Sequence, residues 1–405
     1  METLNNFQRK SLAPVPVWHL SNLQDGKSQT LSELLLSNHA SFAVLRDPRL
    51  LFHNHLPHAL GSSYLLGAGT QKLKQIYNAE AEELKQVHDV FIQGGITRDN
   101  WRDFLGQKQY TVAYTNFFDI EVQNYAGDWK AVVDTYLFAG SKPLINGFSG
   151  GLGHPFIHLA YAYEFNSSVV ATEALSMGCT EYDDIHRFID RYPDDNSTYQ
   201  TASLEKVLNM VRDDRRFDDM FDQPGFANVF TTLEQRETIV LEHWNGWIVT
   251  DPYEQLDDCM FTASRLAIET SNSKGEFDFY LAHVLTVGHA LRILLPLMPV
   301  VWHIPVMKQY GLFTILVYIA QLRPAFDAQN IESWELKASN WSKISEDAVN
   351  NEPSVDIHFP KVVRALKVAE ETWGSKHRHF MKAAEKFIAE FKSWTGFGLG
   401  VDVIP

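Results

Sequence analysis

Helix-forming patterns recur along almost the whole chain, whereas patterns typical of β-strands are scarce. Thr30-Leu31-Ser32-Glu33 has the form of a capping box, and Asp251-Pro252 places a capping residue before a proline that suits the first turn of a helix over 253–270. Further helices are predicted at 71–90, 111–125, 129–139, 155–177, 181–191, 203–213, 230–245, 277–294, 305–321, 331–349, 358–372 and 376–393. The predicted fold class is therefore all-α.

The length and composition permit one large core. The chain has 405 residues, of which 45% are hydrophobic and 13% aromatic, so it can bury a sizeable interior. No connector is long or biased enough to serve as a domain linker. We predict a single large helical domain over 49–395, with residues 1–48 as an N-terminal extension packed on the core and 396–405 as a C-terminal tail.

The charge balance argues against two classes of partner. Thirty-five Lys and Arg against 50 Asp and Glu give a net charge of -15, spread along the chain, which disfavours nucleic acid and an anionic membrane. The apolar region 291–322 is interrupted by prolines and polar residues, so we interpret it as core rather than as a membrane span. A small molecule with little charge is the expected partner. The oligomeric state is left open.

The cysteines and the N-terminus indicate a cytoplasmic protein. Cys179 and Cys259 are the two cysteines, and neither belongs to a CxxC motif, which is typical of a reducing compartment. The first ten residues lack the basic start and apolar stretch of a signal peptide.

One segment combines a glycine-rich approach with two histidines at the start of an apolar helix. His154 and His158 are four residues apart and share one helical face, a recurrent geometry for metal ligands. The spacing is that of a zinc peptidase, but Pro155 stands where such an enzyme has its catalytic Glu, which disfavours that class. Pro155 also suits the first turn of a helix capped near Gly153, so two structural histidines explain the motif about as well.

Several other histidines occur in apolar surroundings, and taken singly each fits a hydrogen-bonded core residue better than a ligand. They are His53, His55, His58, His283, His289 and His303. Lys361 is bracketed by apolar residues, which would lower the pKa of its amine and make it available as a base or for carboxylation. A lysine that extends along an amphipathic helix towards solvent is the alternative, and from the sequence the better one.

Three common catalytic signatures are missing. No GxGxxG sequence follows a strand and opens a helix, so no flavin or dinucleotide site of the usual kind is expected. A P-loop and a GxSxG nucleophile elbow are absent from the sequence as well, which disfavours phosphoryl transfer and serine hydrolysis.

Five blocks of sequence together resemble the questin oxidase-like family. They are His58-Ala59-Leu60-Gly61-Ser62 with Leu66-Gly67-Ala68, the run from Gly153 to Glu164, Glu173-Ala174-Leu175, the run from Phe279 to Thr286, and the run from His358 to Arg364. Their order and spacing extend from about residue 50 to 370, and the GHPxIHLxYxxE block is the most specific.

The resemblance implies an oxygenase of aromatic polyketide metabolism. Members open the central ring of anthraquinones or related hydroxylated tricycles with O₂, by Baeyer–Villiger-type insertion or by dioxygenation, without a flavin domain. Some are described as using non-heme iron bound by histidines and a carboxylated lysine, some as needing a reductant, and some as needing no cofactor. The resemblance thus leaves Fe(II) and NADPH open. It makes five residues the candidates for catalysis and metal binding, namely His58, His154, His158, His283 and Lys361.

A flat aromatic substrate needs a buried cavity lined by aromatic side chains. The candidate substrate-binding residues are Tyr64, Phe118, Tyr161, Glu164, Phe279 and Trp302. Tyr161 and Glu164 also lie near His158 on the predicted helix, where they could position a histidine by a hydrogen bond. The alternative for Glu164 is an exposed position on the same helix.

Two mechanisms and one non-catalytic alternative remain open at this stage. Histidines could hold iron for O₂ activation. They could instead be general bases that deprotonate an electron-rich phenol, which then reduces O₂ itself. The alternative is a helical binding protein for a hydrophobic aromatic ligand, in which the histidines are structural.

Overall fold

The structure, a computed structural model, is mainly helical and describes residues 12–90, 95–326, 328–374, 376–400 and 404. Within these ranges the α-helices are α1 (Gly26–Ser41), α2 (Leu56–Leu65), α3 (Thr70–Ala81), α4 (Thr111–Asn124), α5 (Trp129–Leu137), α6 (His154–Phe165), α7 (Ser168–Thr180), α8 (His186–Asp190), α9 (Leu204–Asp213), α10 (Ala227–Gly246), α11 (Pro252–Glu269), α12 (Phe279–Leu294), α13 (His303–Ala320), α14 (Ala328–Glu332), α15 (Trp341–Asn350), α16 (Phe359–Trp373) and α17 (His379–Glu390).

The described residues form only two small sheets. Strand β1 (Leu45–Arg46) pairs antiparallel with β2 (Phe52–His53), and β3 (Glu276–Asp278) pairs parallel with β4 (Ser393–Thr395). The second pair fastens the chain after α17 to the segment that leads into α12. The predicted all-α class is confirmed.

Several helix boundaries differ from those predicted, for local reasons. The expected helix 155–177 is broken because Asn166 adopts a left-handed conformation with φ 47° and Ser167 caps α7. The first helix begins before the expected capping box, at Gly26, where the Asp25 carboxylate accepts the Ser28 amide. The predicted helices at 71–90, 181–191 and 331–349 shorten to α3, α8 and α15, because the remainder of each segment forms turns and short 3₁₀ or helical pieces.

The interior is built from apolar helices that pack side by side. Helix α12 packs against α6 and α11, and from Leu281 to Leu294 every one of its residues is buried. The segments Phe279–Leu297 and Val300–Ala320 are long and apolar enough to cross a membrane by length and composition, but 89% and 67% of them are buried inside the fold. Burial of this extent is typical of core helices, as expected for the region 291–322.

Four helices begin close to one another in this interior. Helix α6 packs against α2 and α12, and α16 also packs against α2 and α12, so the four form a ring. Pro57, Pro155 and Pro360 stand in the first turns of α2, α6 and α16, where the missing amide leaves no hydrogen bond unmade. The Asp278 carboxylate caps α12 by accepting the amides of Tyr280 and Leu281.

Candidate active site

Four histidines meet where these four helices begin. His55 and His358 immediately precede α2 and α16, His154 is the first residue of α6, and His283 lies on the first turns of α12. All four are buried, and one ring nitrogen of each lies within 4.8 Å of the corresponding nitrogens of the others. The fold therefore places four imidazoles around a single point.

Backbone carbonyls orient two of these rings. The His154 Nδ1 lies 2.6 Å from the Gly151 carbonyl, and the His283 Nδ1 lies 2.7 Å from the Phe279 carbonyl. Because a carbonyl oxygen only accepts, each Nδ1 carries the proton and each Nε2 bears a lone pair. The His154 Nε2 accepts a hydrogen bond from the His55 Nε2, 2.8 Å away, whereas the His283 Nε2 has no partner among the described residues. This arrangement is typical of metal-binding histidines, whose outer nitrogen donates to a backbone or carboxylate oxygen.

Several nitrogens at this point lack hydrogen-bond partners among the described residues. They are the Nδ1 atoms of His55 and His58, the Nε2 atoms of His283 and His358, and the Nζ atom of Lys361. Unpartnered polar atoms in a protein interior are rare, because each one forfeits the hydrogen bonds that it makes in water. Together with the four-histidine group they form a site that could hold a metal ion or another polar ligand.

Burial favours the uncharged forms of these groups. Desolvation, followed by the neighbouring Lys361 or histidine nitrogens, lowers the pKa of His55, His154, His283 and His358 well below the usual value. Burial likewise lowers the pKa of Lys361 to about 7. Neutral imidazole and neutral amine are the forms that bind metals or act as bases.

The glycines of the turn before α6 occupy positions where a larger side chain would clash with neighbouring atoms. Gly153 has φ +74°, and a Cβ atom there would lie 2.4 Å from the Cγ2 of Val287 on α12. A Cβ atom at Gly151 would lie 2.6 Å from the Glu181 side chain and 2.8 Å from the Nε2 of His53. The glycines thus allow the turn that carries His154 to approach α12 and the histidines closely.

A second group of side chains leads from the site to the surface through four hydrogen bonds. The His58 Nε2 lies 2.9 Å from the His158 Nδ1, and the His158 Nε2 lies 2.8 Å from the Glu173 Oε2. The Glu173 Oε1 lies 3.0 Å from the His39 Nδ1, and the His39 Nε2 lies 2.9 Å from the Asp119 Oδ2. We call these five residues the relay.

The electrostatics of the relay are set by its two carboxylates. Burial acts to raise the pKa of Glu173, but the hydrogen bonds from His158 and His39 bring it below its usual value. Burial likewise acts to lower the pKa of His39, yet its bonds to Asp119 and Glu173 raise it to about 10. Glu173 is therefore a carboxylate and His39 an imidazolium at neutral pH.

A further carboxylate supports the site from the side of the glycine-rich turn. The His53 ring stacks on His154 with ring centroids 3.9 Å apart, and its Nε2 lies 3.0 Å from the Glu181 Oε1. The Lys108 amine donates to both Glu181 oxygens. Burial opposes ionisation of Glu181, but Lys108 and His53 hold its pKa at about 2.

All five predicted catalytic residues lie in this region, but in two groups. His154 and His283 belong to the four-histidine group, whereas His58 and His158 belong to the relay, in which both nitrogens of His158 are already hydrogen-bonded. Lys361 lies close enough to lower the pKa of every histidine in the group.

Sequence reasoning left His55 and His358 out of the ligand set. A signal was present, because His55-Leu56-Pro57-His58 and His358-Phe359-Pro360-Lys361 share the pattern His-x-Pro followed by a basic residue. His39 and Asp119 were also missed, and no local pattern marks either residue.

The predicted substrate-binding residues are divided by the fold. Tyr161 stacks on His58 at 5.3 Å between ring centroids, and Phe279 contacts His283 and His358, each at 4.6 Å. The other four pack elsewhere: Tyr64 bonds Ser28, Phe118 packs on Tyr136, Trp302 stacks on Phe138, and Glu164 pairs with Arg364. The expected hydrogen bond from Glu164 to a histidine is wrong, because Glu173 is the carboxylate that bonds His158.

Comparison with known proteins agrees with the resemblance seen in the sequence. The model of the questin oxidase-like family matches residues 52–366, and the chain belongs to this family. Among its relatives, oxidoreductase AflY of Aspergillus parasiticus is 29% identical over 167 residues, which cover 40% of this chain and 33% of AflY. The Baeyer-Villiger oxidase ptaJ of Pestalotiopsis fici is 24% identical over 399 residues, which cover 91% of this chain and 86% of ptaJ.

A questin oxidase of Aspergillus terreus is 27% identical over 157 residues, which cover 37% of this chain and 34% of that enzyme. The chain thus aligns with about a third of AflY and of this questin oxidase, and with more than four-fifths of ptaJ. These names make the family one of oxidoreductases.

Proposed function

We propose that this protein is an oxygenase that uses O₂ to open a ring of an anthraquinone-like or hydroxylated aromatic polyketide. Membership of the questin oxidase-like family supports the substrate class and the oxidative chemistry. The observation that carries the proposal is the buried group of four histidines with Lys361 beside it. The Nδ1 of His55, the Nε2 atoms of His283 and His358 and the Nζ of Lys361 lie there without hydrogen-bond partners among the described residues.

The donor set fits Fe(II). Four neutral imidazoles, two of them oriented by backbone carbonyls, suit a first-row transition metal. Those four are the residues that would hold the metal, namely His55, His154, His283 and His358. A bound Fe(II) would supply the one-electron chemistry that O₂ requires.

Lys361 fits the same site in a modified form. A neutral lysine amine attacks CO₂ and, on losing one proton, becomes a carbamate whose oxygens are anionic ligands. With a pKa lowered to about 7, a large fraction of the Lys361 amine is neutral near pH 7, and Nζ has no hydrogen-bond partner in the described structure. Four helix N-termini surround the position, and their partial positive charge stabilises an anion.

The chain's own residues supply a base and a binding surface. The Nδ1 of His58 is buried and unpartnered, and burial lowers the pKa of this imidazole, so it is neutral and free to take the proton of a phenolic hydroxyl. Tyr161 and Phe279 present ring faces beside the histidines and would hold a flat aromatic substrate. This base function does not depend on a metal.

Substrate is proposed to enter beside the glycine-rich turn. An apolar pocket of about 70 Å³ is lined there by Gly151, Leu152 and a set of apolar side chains that includes Phe226, Phe230 and Phe313. Aromatic rings continue inward, because Phe226 stacks on Tyr280 and Tyr280 packs on Phe279. The volume is well below the ~300–1,000 Å³ of typical ligand pockets, so these side chains must move when substrate enters.

The proposal is tested by measuring metal content and O₂ uptake on the purified protein. We expect about one iron per chain, O₂ consumption with hydroxylated anthraquinones and their reduced forms, and a ring-opened product by mass spectrometry. His154→Ala and Lys361→Ala should remove both iron and activity. His303→Ala should leave both intact, because the His303 ring hydrogen-bonds the Met298 carbonyl and is not part of the four-histidine group.

Other outcomes distinguish the remaining hypotheses about the function. O₂ uptake without metal would retain the oxygenase and replace iron by base catalysis alone. Binding of the aromatic compounds without any O₂ uptake would contradict the proposal and leave a helical binding protein.

A further inference from the structure

The relay determines which nitrogen of His58 carries a proton. Glu173 is a carboxylate and can only accept, so the Nε2 of His158 donates to it. When His158 is uncharged, its Nδ1 is an acceptor and the Nε2 of His58 donates to it. The remaining nitrogen of His58, Nδ1, therefore bears a lone pair, and it is the atom without a partner in the described structure.

We infer that Glu173, held by His39, is a positioning residue that sets the tautomer of His58 and gives the substrate's proton a route to the surface at Asp119. The tautomer is a property of the resting protein. The passage of a substrate proton rests on the proposed function.

This route moves protons without any electron transfer, and as many protons leave it as enter it. His58 takes a proton at Nδ1 and releases the one at Nε2 to the Nδ1 of His158. His158 in turn releases its Nε2 proton to the Oε2 of Glu173, which becomes a neutral acid. Glu173 then no longer stabilises the imidazolium, so His39 releases its Nε2 proton to Asp119 and from there to water. One proton enters at His58 and one leaves at Asp119.

Exposure increases along the relay in the direction that this route requires. The side chains of His158 and Glu173 are 0% and 2% exposed, whereas those of His39 and Asp119 are 15% and 32% exposed. Each hydrogen bond of the relay joins one polar side chain to the next, and the last side chain, that of Asp119, is partly exposed to solvent.

The hydrogen bonds of the relay are the main polar interactions of Glu173 and His39 in the described structure. Asn38, on the same helix as His39, is the other side chain that donates to Glu173, at 3.4 Å from its Oε1. His39 and Asn38 lie on α1, Asp119 on α4 and Glu173 on α7, and α7 packs against both other helices. The route thus crosses three helices and leaves between α1 and α4.

The first test measures the tautomer directly. ¹⁵N-histidine NMR on the purified protein without substrate, with His58 assigned from the spectrum of His58→Asn, should show His58 protonated at Nε2. Glu173→Gln can donate to His158 instead of accepting, so it should shift His58 towards protonation at Nδ1. A His58 that is protonated at Nδ1 in the natural protein, or that is unchanged in Glu173→Gln, would overturn the inference.

The second test follows the proton during turnover. Because general-base catalysis contributes about 10²–10⁴-fold, Glu173→Gln should lower kcat at least tenfold with KM nearly unchanged, and should enlarge the solvent isotope effect. His39→Ala lies nearer the surface, and added imidazole should restore part of its activity. Glu121→Gln is the matched control, since this buried carboxylate bonds Arg98 and Tyr136 rather than the relay.

The outcomes distinguish this inference from the proposed function. Turnover that is equally fast in Glu173→Gln and in the control would overturn the route while the oxygenase stands. Failure of every aromatic substrate, together with a tautomer that shifts in Glu173→Gln, would overturn the oxygenase while the positioning by Glu173 stands. Should Glu173→Gln fail to fold, Asp119→Asn at the exposed end must show the larger isotope effect.

Discussion

The rings of His55 and His358 lie edge to face with centroids 4.5 Å apart, each on the residue that precedes a helix. Each is followed two residues later by a proline and three residues later by a basic side chain, His58 in one case and Lys361 in the other. Helices α2 and α16 pack against each other, so two stretches of chain 300 residues apart contribute matching halves to one site.

We predict that His55→Asn and His358→Asn each lower iron content at least tenfold, because both rings present a nitrogen to the four-histidine group. Asparagine keeps a polar side chain of similar length, which limits the loss of stability. Iron is measured by mass spectrometry of metals after equilibration with Fe(II). His303→Asn is the control, and equal iron in all three variants would show that the group holds no metal.

Lys361→Met should stabilise the metal-free protein while abolishing activity. The buried amine lacks a hydrogen-bond partner in the described residues, and a buried donor without a partner costs about 1–3 kcal/mol, which an apolar side chain of similar length avoids. Urea unfolding after chelation measures the free energy of unfolding. If Lys361→Met is instead less stable than the natural protein, the amine has a binding partner in solution.

Carboxylation of Lys361 gives a second measurement on the same side chain. We expect that ¹³C-bicarbonate produces one carbamate signal in the natural protein and none in Lys361→Met. Restoration of iron binding by added short-chain carboxylic acids in Lys361→Ala would agree with a carboxylate ligand at this position.

Mild acid should destabilise the metal-free protein. Burial lowers the pKa of the cluster histidines in the folded state, so below the ordinary value of 6.5 the unfolded chain binds protons that the folded chain does not, and stability falls as the pH falls. Each such histidine contributes a slope of up to about 1.4 kcal/mol per pH unit. The free energy of unfolding should thus drop by several kcal/mol between pH 7 and pH 5.

His39 should have the opposite pH dependence. Its folded pKa is raised to about 10, so the stability that it contributes is fully present below pH 6.5 and is lost as the pH rises through 10. The difference in unfolding free energy between the natural protein and His39→Gln should therefore shrink between pH 7 and pH 10. A difference that stays constant over this range would contradict the charged state of His39.

Gly153→Ala should destabilise the protein by about 2–4 kcal/mol, because it adds left-handed backbone strain to a steric clash with Val287. Thermal unfolding checks the value. Val287→Ala removes the clashing methyl groups, so the double variant should lose less stability than the sum of the two single variants. Additive losses would mean that backbone strain alone accounts for the effect.

The helical class and the main histidines could be predicted from sequence because they depend on local patterns. Pro155 after His154 and Asp251 before Pro252 are signals within a few residues, and the structure has helices beginning at both places. The resemblance located His154, His283 and Lys361 in the same way, through short motifs.

Local patterns could not predict which histidines belong to the four-histidine group and which belong to the relay. Whether His158 bonds Glu164 or Glu173 depends on how α6 packs against α7, since both carboxylates lie within 15 residues of it. The aromatic residues show the same limit. Phe118 and Trp302 are residue types that commonly line binding pockets, but tertiary packing places them away from the histidines.

The bond between His39 and Glu173 also bears on what counts as a complete enzyme. The family match begins at residue 52, yet His39 belongs to the helix before it. A protein trimmed to the matched region would keep every histidine of the cluster and leave a carboxylate in its interior without its cationic neighbour. The boundary of the family match therefore separates two residues, His39 and Glu173, that stabilise each other's charge.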